Sequence, residues 1–241
     1  MTINQIQSSD RTQGKDIYTN GVYLSNNITW HAEDSPWKAR QISRLLIKNN
    51  IFPNNVTEIG CGAGAILTEL STMMPVTNFV GYELSPQAFE LCKARVSEQI
   101  QYYCSDLVLQ DVFYDCLLCI DVFEHVEDYM GFIKSLKAKA TYKIFHIPLD
   151  ISVRSILRGT MMQERQSVGH LHYFSKDTAI ATLKDCGYEI VDGFYTTSFL
   201  DTPSKTWKTR FAKWRFKFFY SIAPELTVKV FGTCSYIVLT R

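Results

Sequence analysis

Apolar and polar positions along the chain follow two periods that alternate. Short apolar runs typical of buried strands are separated by longer segments in which apolar residues recur every three or four positions, as on one face of a helix. The runs predicted as strands are VTEIG (56–60), NFVGYEL (78–84), IQYYCSD (100–106), YDCLLCID (114–121), YKIFHIPL (142–149), YEIVDGFY (188–195) and CSYIVLTR (234–241).

The longer segments carry start signals or spacing typical of helices. In EDSPWKARQISRLLIKN, Ser35 is the predicted N-cap and Pro36 the first helical residue, and Ser85 and Pro86 repeat that signal. The other segments predicted as helices are GAILTELSTMM (64–74), VEDYMGFIKSLKAKA (126–140) and SKDTAIATLKDCG (175–187).

Alternating strands and helices predict a doubly wound α/β fold of the Rossmann-like kind. We expect a mostly parallel seven-stranded sheet with an antiparallel edge strand. The last strand (234–241) follows a long excursion, so it is the candidate for that edge position.

Composition narrows the class of protein without revealing its function. The 241 residues are 46% hydrophobic and 20% charged, which is ordinary for a globular protein, and a net charge of +1 gives no general reason to expect a nucleic-acid partner. The polar start and the lack of any run of roughly 18 apolar residues predict a cytoplasmic protein. Seven cysteines, mostly in strand-like runs, predict buried thiols, and Cys116 and Cys119 are interpreted as core residues.

A glycine-rich turn follows the first strand in VTEIGCGAGAIL (56–67). Gly60, Gly62 and Gly64 allow a tight turn and a close approach of the backbone to a ligand, at the switch point where such sheets bind ligands. Gly60-x-Gly62-x-x-Ala65 also matches the dinucleotide fingerprint, so a nicotinamide oxidoreductase is an alternative. Glu58 opposes that alternative, because a carboxylate repels a pyrophosphate and attracts an ammonium or sulfonium group.

Glu58-x-Gly60-Cys61-Gly62-x-Gly64 resembles the first motif of class I S-adenosylmethionine-dependent methyltransferases. The resemblance continues through CIDVFEHVED (119–128) and GHLHYFSKDTAIATLKDCGYEI (169–190), which are similar to the ubiquinone-pathway O-methyltransferases. It spans roughly residues 35 to 195 and the closing strand.

This resemblance implies S-adenosylmethionine as the cofactor and assigns its contacts. Glu83, with Leu84 beside it, matches the acid that binds the ribose hydroxyls. Asp106 matches the acid that takes the adenine amino group, and Leu107 is expected beside the adenine ring. The methionine end is expected near Glu58, Gly60, Cys61, Gly62 and Gly64, with Asp121 as a further contact.

Methyl transfer needs an aligned nucleophile and often a base that removes its proton. His125 is the leading candidate for that base, and His170, His172 and Glu124 are further catalytic candidates, with His146 also at a strand end. No metal is expected. A variant in which Asp121, Glu124, His125 and a histidine of GHLH hold one divalent ion stays open. HIPL (146–149) differs from the Asn-Pro-Pro-aromatic motif of enzymes that methylate base amines, which favours an oxygen acceptor.

The segment SKTWKTRFAKWRFKFFY (204–220) contains six basic residues and no acid. On a helical wheel Trp207, Phe211, Trp214 and Phe218 form a stripe about 60° wide. This stripe is predicted to pack on the sheet or cover the active site, and peripheral membrane contact and nucleic-acid binding are alternatives.

Two regions are expected, an N-terminal arm or lid (1–34) and a methyltransferase domain (35–241) with a basic aromatic insertion at about 196–225. The lid would include Tyr18, Tyr23, Trp30 and His31. The predicted activity is methyl transfer to a small or lipid-linked biosynthetic metabolite, with no nucleic-acid partner. A non-catalytic cofactor-binding scaffold is the second alternative to this activity.

Overall fold

The computed structural model describes residues 32–201 and 206–241. Within them, seven strands form one sheet in the order β3-β2-β1-β4-β5-β7-β6. The strands are β1 (Asn55–Ile59), β2 (Asn78–Tyr82), β3 (Ile100–Tyr103), β4 (Tyr114–Ile120), β5 (Ala140–Pro148), β6 (Ile190–Thr196) and β7 (Ser235–Thr240).

The α-helices lie between the strands and in the connections that follow β5 and β6. They are α1 (Ser35–Lys48), α2 (Ala65–Met73), α3 (Pro86–Cys92), α4 (Tyr129–Leu136), α5 (Val153–Arg158), α6 (Thr160–Ser167), α7 (Lys176–Asp185), α8 (Ser198–Asp201), α9 (Trp207–Ile222) and α10 (Pro224–Phe231).

Strands β1 to β5 pair in parallel, and β7 runs antiparallel to both of its neighbours. The predicted fold class, including an edge strand paired antiparallel, is therefore confirmed. The assignment of the edge position to the last strand was wrong. Strand β7 lies between β5 and β6, and five of its six residues are buried, whereas β6 forms the edge and is mostly half-buried.

Strand order reverses between β1 and β4, which puts a crevice at the carboxyl ends of those strands. Apolar side chains pack on both faces of the sheet. One core includes Phe123, Phe145 and Val238, and the other includes Leu45, Leu67 and Phe79. Six of the seven cysteines are buried free thiols, Cys116 and Cys119 among them, as predicted.

Helix starts were predicted to within a few residues. Ser85 and Ser175 cap α3 and α7 by accepting hydrogen bonds from backbone N–H groups of the first turn. The predicted cap Ser35 is instead the first residue of α1, and Asp34 occupies the N-cap position without a side-chain cap bond.

Several helices between residues 151 and 231 were not predicted. Helix α6 has no buried residue and α5 is only six residues long, so neither shows an apolar stripe. Among the described residues, no helix combines the length and the apolar character that crossing a bilayer requires.

Candidate active site

A cavity of about 770 Å³ lies at the carboxyl ends of β1, β4 and β5, where the strand order reverses. The glycine turn lines it on one side, and helices α5 and α6 line it on another. Its volume lies in the range that small-molecule sites commonly occupy.

The glycine turn has a conformation that favours glycine at three positions. Gly60, Gly62 and Gly64 have φ angles of 66°, 55° and 76°, a region that side chains disfavour. A Cβ atom at Gly60 would lie 2.9 Å from a methyl group of Val122. The turn brings its backbone close to the cavity, while the N–H groups of Gly60 and Cys61 donate to the Tyr82 carbonyl and that of Gly62 donates to Glu83.

Glu58 is the penultimate residue of β1 and lies beneath this turn. Its side chain is almost fully buried, and its Oε2 atom has no hydrogen-bond partner among the described residues. Burial raises the pKa of its carboxyl well above the usual range, and the Lys38 ammonium opposes that shift. The residue lines the cavity, so this carboxyl group faces any ligand bound there.

Glu83 is bonded to the glycine turn itself. Its Oε2 accepts a 2.8 Å hydrogen bond from the Gly62 N–H, and its Oε1 accepts a 2.7 Å bond from the Ser85 N–H. Each carboxylate oxygen retains a second lone pair for a further donor.

Leu84, predicted beside the ribose-binding acid, and Asp106 and Leu107, predicted at the adenine, lie beyond β2 and β3, outside the lining of the cavity. Leu84 is exposed, and Asp106 caps a short turn by accepting from the Val108 N–H at 2.9 Å. Leu107 is fully buried in the core, so its side chain cannot face a ring without moving.

Asp121 connects three elements at the floor of the cavity. Its carboxylate lies 2.7 Å from Lys38 Nζ of α1 and 2.6 Å from Nδ1 of His146 in β5, and Nε2 of that imidazole lies 2.9 Å from Thr196 Oγ1. Asp121 has a φ of 54°, which is uncommon for a residue with a side chain. Burial would raise the pKa of its carboxyl, but His146 and Lys38 outweigh burial and hold that pKa well below its usual range.

A second group of ionisable side chains lies on the side of β5 and α6, where His125, Asp150 and His170 line the cavity and Glu124 is not part of its lining. The His125 and His170 rings are 4.9 Å apart between centroids, and His170 Nδ1 lies 2.7 Å from Oδ2 of Asp150. Glu124 is fully buried, neither carboxylate oxygen has a hydrogen-bond partner among the described residues, and its Oε1 lies 3.8 Å from His125 Nε2.

The pKa shifts within this group have opposite directions. Burial, and then the nearby Asp121 carboxylate, raises the pKa of Glu124 well above its usual range. Burial, and then His170, lowers the pKa of His125 to about 4. Burial thus favours the neutral form of both groups, the protonated carboxyl of Glu124 and the uncharged imidazole of His125.

His172 is placed differently from the other histidines. Its Nε2 lies 3.0 Å from the Val126 carbonyl oxygen and 3.2 Å from that of Glu127, and its ring packs on Tyr129. It does not line the cavity. Backbone bonds of this kind suit a residue that fixes the loop after β4.

The structure brings together only three of the four residues of the possible metal site. Glu124, His125 and His170 offer ligand atoms within 4.8 Å of one another, a set that could hold a divalent ion. Asp121 is instead engaged with Lys38 and His146. Three donors are therefore available. Asp150 contacts the His170 ring at Nδ1, as carboxylates that orient a metal-binding histidine do.

Several residues of the cavity were not singled out from the sequence. Lys38 precedes Ile42 by one helical turn, so a lysine on the apolar side of α1 was the available signal. Arg154, Arg158 and Asp150 lie in a segment where no element was predicted. The predicted lid residues 1–31 lie outside the described residues, although Ala32 and Asp34 line the cavity.

Replacing Asp121 with asparagine should lower the free energy of unfolding by about 1–3 kcal/mol at pH 7, because Lys38 would keep a buried charge without its partner. The folded-state pKa of Asp121 lies below the unfolded value of about 3.9. The stabilisation that the Asp121 carboxylate gives to the fold is therefore complete above the unfolded value, and it is lost as the pH falls towards the folded-state pKa. Urea unfolding between pH 7 and pH 3.5 should show that the wild-type chain has the larger free energy of unfolding. The difference from Asp121→Asn should stay constant through most of this range and become smaller at its acid end.

Asp185→Asn, at an exposed position near the end of α7, is the matched control and should leave stability nearly unchanged at every pH. A wild-type advantage over Asp121→Asn that widens with acid would contradict the pairing.

The fold is shared with solved methyltransferases of low sequence identity. The plantazolicin methyltransferase BpumL, bound to a monoazolic desmethylPZN analog and S-adenosylhomocysteine, has 14% identity and a TM-score of 0.61, with 99% of this chain and 98% of that chain covered. Magnesium protoporphyrin IX methyltransferase (ChlM) from Synechocystis PCC 6803 with bound S-adenosylhomocysteine has 15% identity and a TM-score of 0.58, with 85% and 82% covered. The N-methyltransferase NodS from Bradyrhizobium japonicum WM9, also with S-adenosylhomocysteine, has 18% identity and a TM-score of 0.53, with 85% of each chain covered.

Comparison with curated protein sequences finds no match. A family model described as a methyltransferase domain matches residues 30–192, which is more than half of the chain. Together with the Rossmann-like sheet and the glycine turn at its switch point, this match shows that the chain belongs to the methyltransferase-domain family.

Proposed function

We propose that this methyltransferase transfers the methyl group of S-adenosylmethionine to an oxygen of a small or lipid-linked biosynthetic metabolite. The observation that carries the proposal is the buried Glu58 carboxyl, which has an unpaired oxygen beside three left-handed glycines. A buried acid without a partner favours a cationic ligand, and it opposes the pyrophosphate of a nicotinamide cofactor. Neither the oxidoreductase alternative nor the scaffold alternative is supported by the comparisons.

The residues around the turn fit this cofactor as a set. Glu58 and the backbone of Gly60–Gly64 would hold its methionine end, where Lys38 offers an ammonium group for the carboxylate and Asp121 an acceptor for the amino group. Glu83 would bind the ribose through its remaining lone pairs, and Asp106 would receive the adenine amino group. Three of the solved methyltransferases with this fold hold S-adenosylhomocysteine, which supports the choice.

When bound, S-adenosylmethionine supplies an electrophilic methyl group on a sulfonium. The chain itself would position the acceptor oxygen and remove its proton. Glu124, His125 and His170 form the group that can do so, with Asp150 orienting the His170 ring. The same three donors would hold a divalent ion if the reaction needed one to orient the acceptor.

The acceptor side of the cavity carries two arginines. Arg154 and Arg158 of α5 line it together with the acids Asp150 and Glu164, and both arginines are suited to a phosphate or carboxylate on the acceptor. A second cavity of about 490 Å³, lined largely by apolar side chains, adjoins this side. An anionic group together with an apolar tail fits these surroundings, which supports a lipid-linked acceptor reached by peripheral membrane contact.

Calorimetric titration with S-adenosylhomocysteine, with NADH as the parallel control, is the first test. We expect binding of S-adenosylhomocysteine alone.

Gly62→Arg should abolish that binding, because the new side chain would fill the space beside the glycine turn, where Gly62 has a φ of 55°. Gly159→Arg is the matched control, since Gly159 has a φ of 64° and open space around it. Tight binding of NADH, or equal S-adenosylhomocysteine affinity in both variants, would refute the assignment.

An acceptor screen with and without EDTA would supply the substrate needed to identify the base. If His125 is the base, His125→Ala should leave cofactor affinity within a few fold and lower turnover by roughly 10²–10⁴. The wild-type profile of kcat/KM against pH should then show an acid limb near the His125 pKa of about 4. An acid limb at higher pH that disappears in Glu124→Gln would assign the base to Glu124 instead. His172→Ala should retain turnover, because that ring bonds backbone carbonyls outside the cavity. Normal turnover in both His125→Ala and Glu124→Gln would contradict a base in this group.

A further inference from the structure

Helix α9 turns its aromatic stripe to the outside of the molecule. Trp207, Phe211, Trp214 and Phe218 are 73%, 53%, 61% and 51% exposed, so the prediction that this stripe packs on the sheet or covers the active site was wrong. Three of the rings form a continuous strip, with centroids 5.9 Å apart from Phe211 to Trp214 and 6.1 Å apart from Trp214 to Phe218. A contiguous exposed aromatic surface of this kind marks an interaction site.

The opposite side of α9 fixes this orientation. Phe216 is buried and packs edge-on against Phe199 at 6.3 Å and against Phe231 of α10 at 6.4 Å. Thr206 and Thr209 form a capping box that holds the first turn. Because Phe216 anchors the helix, the stripe cannot turn inward without loss of this packing.

Charge around the stripe has one sign. Lys208, Arg210, Arg215 and Lys217 are exposed, and no acidic residue occurs from residue 206 to residue 224. At about 100° per residue, these four cations lie on both flanks of the stripe, roughly 60° to 100° from its centre. The Arg215 guanidinium also lies 5.9 Å from the centre of the Phe211 ring.

This arrangement fits an anionic bilayer surface. Tryptophan and phenylalanine partition into the headgroup region, and flanking lysines and arginines pair with anionic lipids. A second copy of the chain fits poorly, because two stripes face to face would bring eight exposed cations together. The stripe itself contains no pocket of polar groups that could read a base edge.

An apolar groove adjoins both α9 and the active-site cavity. It runs between α5, α9 and α10 and has a volume of about 490 Å³. Arg215 and Ala212 of α9 line it beside the stripe, and Leu157, Phe216 and Phe231 form its apolar walls. The groove and the active-site cavity are adjacent, because they share four lining residues, Arg154, Arg158, Phe231 and Thr233.

We infer that α9 docks on an anionic membrane through its aromatic stripe, and that the groove beside it receives the apolar chain of a membrane-borne acceptor. The arginines shared with the cavity then hold the acceptor's anionic group near His125 and His170. Docking stands without the proposed function, whereas the role of the groove rests on it and names the class of its acceptor.

Vesicle flotation of the full chain tests the docking. We expect binding to phosphatidylcholine vesicles that contain phosphatidylglycerol, weak binding to phosphatidylcholine alone, and loss of binding as salt rises. Trp207→Ser with Trp214→Ser should reduce the bound fraction at least about tenfold, and Arg210→Glu with Lys217→Glu by about fivefold or more per charge. Phe52→Ser with Phe113→Ser is the matched control and should bind like wild type. These two side chains are about as exposed as Trp207 and Trp214 but are distant from α9 in sequence.

Calorimetry with S-adenosylhomocysteine separates this result from the proposed function. Variants of the stripe should keep wild-type affinity for that ligand, which shows that they are folded. No vesicle binding by a protein that binds S-adenosylhomocysteine would overturn the docking. So would vesicle binding that the tryptophan pair leaves unchanged, a dimer that the same pair disrupts without vesicle binding, or tight salt-sensitive binding of single-stranded RNA in its place.

Dodecyl phosphate probes the groove in solution. We expect the wild-type chain to bind it and Ala212→Trp, which fills the groove, to bind it at least about tenfold more weakly, while vesicle docking and S-adenosylhomocysteine binding persist. Ala212→Ser controls for the change at that position and should bind like wild type. Equal affinity of Ala212→Trp and wild type for dodecyl phosphate would overturn the groove assignment without affecting either the docking or the cofactor.

Discussion

Four carboxyl groups at the carboxyl ends of β1, β2 and β4 have to be accommodated where little water reaches them, and this constraint organises the site. The structure satisfies two of them. Backbone N–H groups bind Glu83, and Lys38 with His146 neutralises Asp121. The other two, Glu58 and Glu124, have unpaired oxygens, and burial raises the pKa of both. A buried acid without a partner destabilises the fold, so its presence is more easily explained by a ligand than by packing.

The two unpaired acids lie in different surroundings. Glu58 lines the cavity beneath the glycine turn, whereas Glu124 lies outside its lining, next to His125 and His170. The Asp121 carboxylate helps to raise the pKa of both acids, and it ties α1 to the sheet through Lys38. In the proposed reaction, Glu58 would stabilise the positive charge of the cofactor, and the group of Glu124, His125 and His170 would receive the proton of the acceptor. Different neighbours would then give two buried carboxyl groups different tasks, which is a common way to obtain acid–base chemistry near neutral pH.

The sequence predicted the part of this architecture that local signals determine. Strand periodicity, the glycines and the serine caps at Ser85 and Ser175 specify the β/α units, and those units give the fold class. Two kinds of feature needed the structure. Strand β7 lies inside the sheet and is buried on both faces. An apolar run in the sequence indicates such burial, but it does not indicate which strands lie on either side. The pairing of Lys38 with Asp121 joins residues far apart in sequence, and only the lysine's place on the apolar side of α1 signalled it.

Helix α9 shows why periodicity alone is insufficient at the surface. The helical wheel identified the stripe of Trp207, Phe211, Trp214 and Phe218, yet the buried contact is made by Phe216 on the other side. A wheel ranks faces by apolar content, whereas burial depends on which face meets Phe199 and Phe231. The more aromatic face is consequently the one left to solvent. The chain keeps this exposure next to a groove that adjoins the active-site cavity, and basic side chains flank the stripe on both sides. Those two properties together distinguish a docking surface from a packing defect, because a defect would require neither the shared arginines nor charges of a single sign.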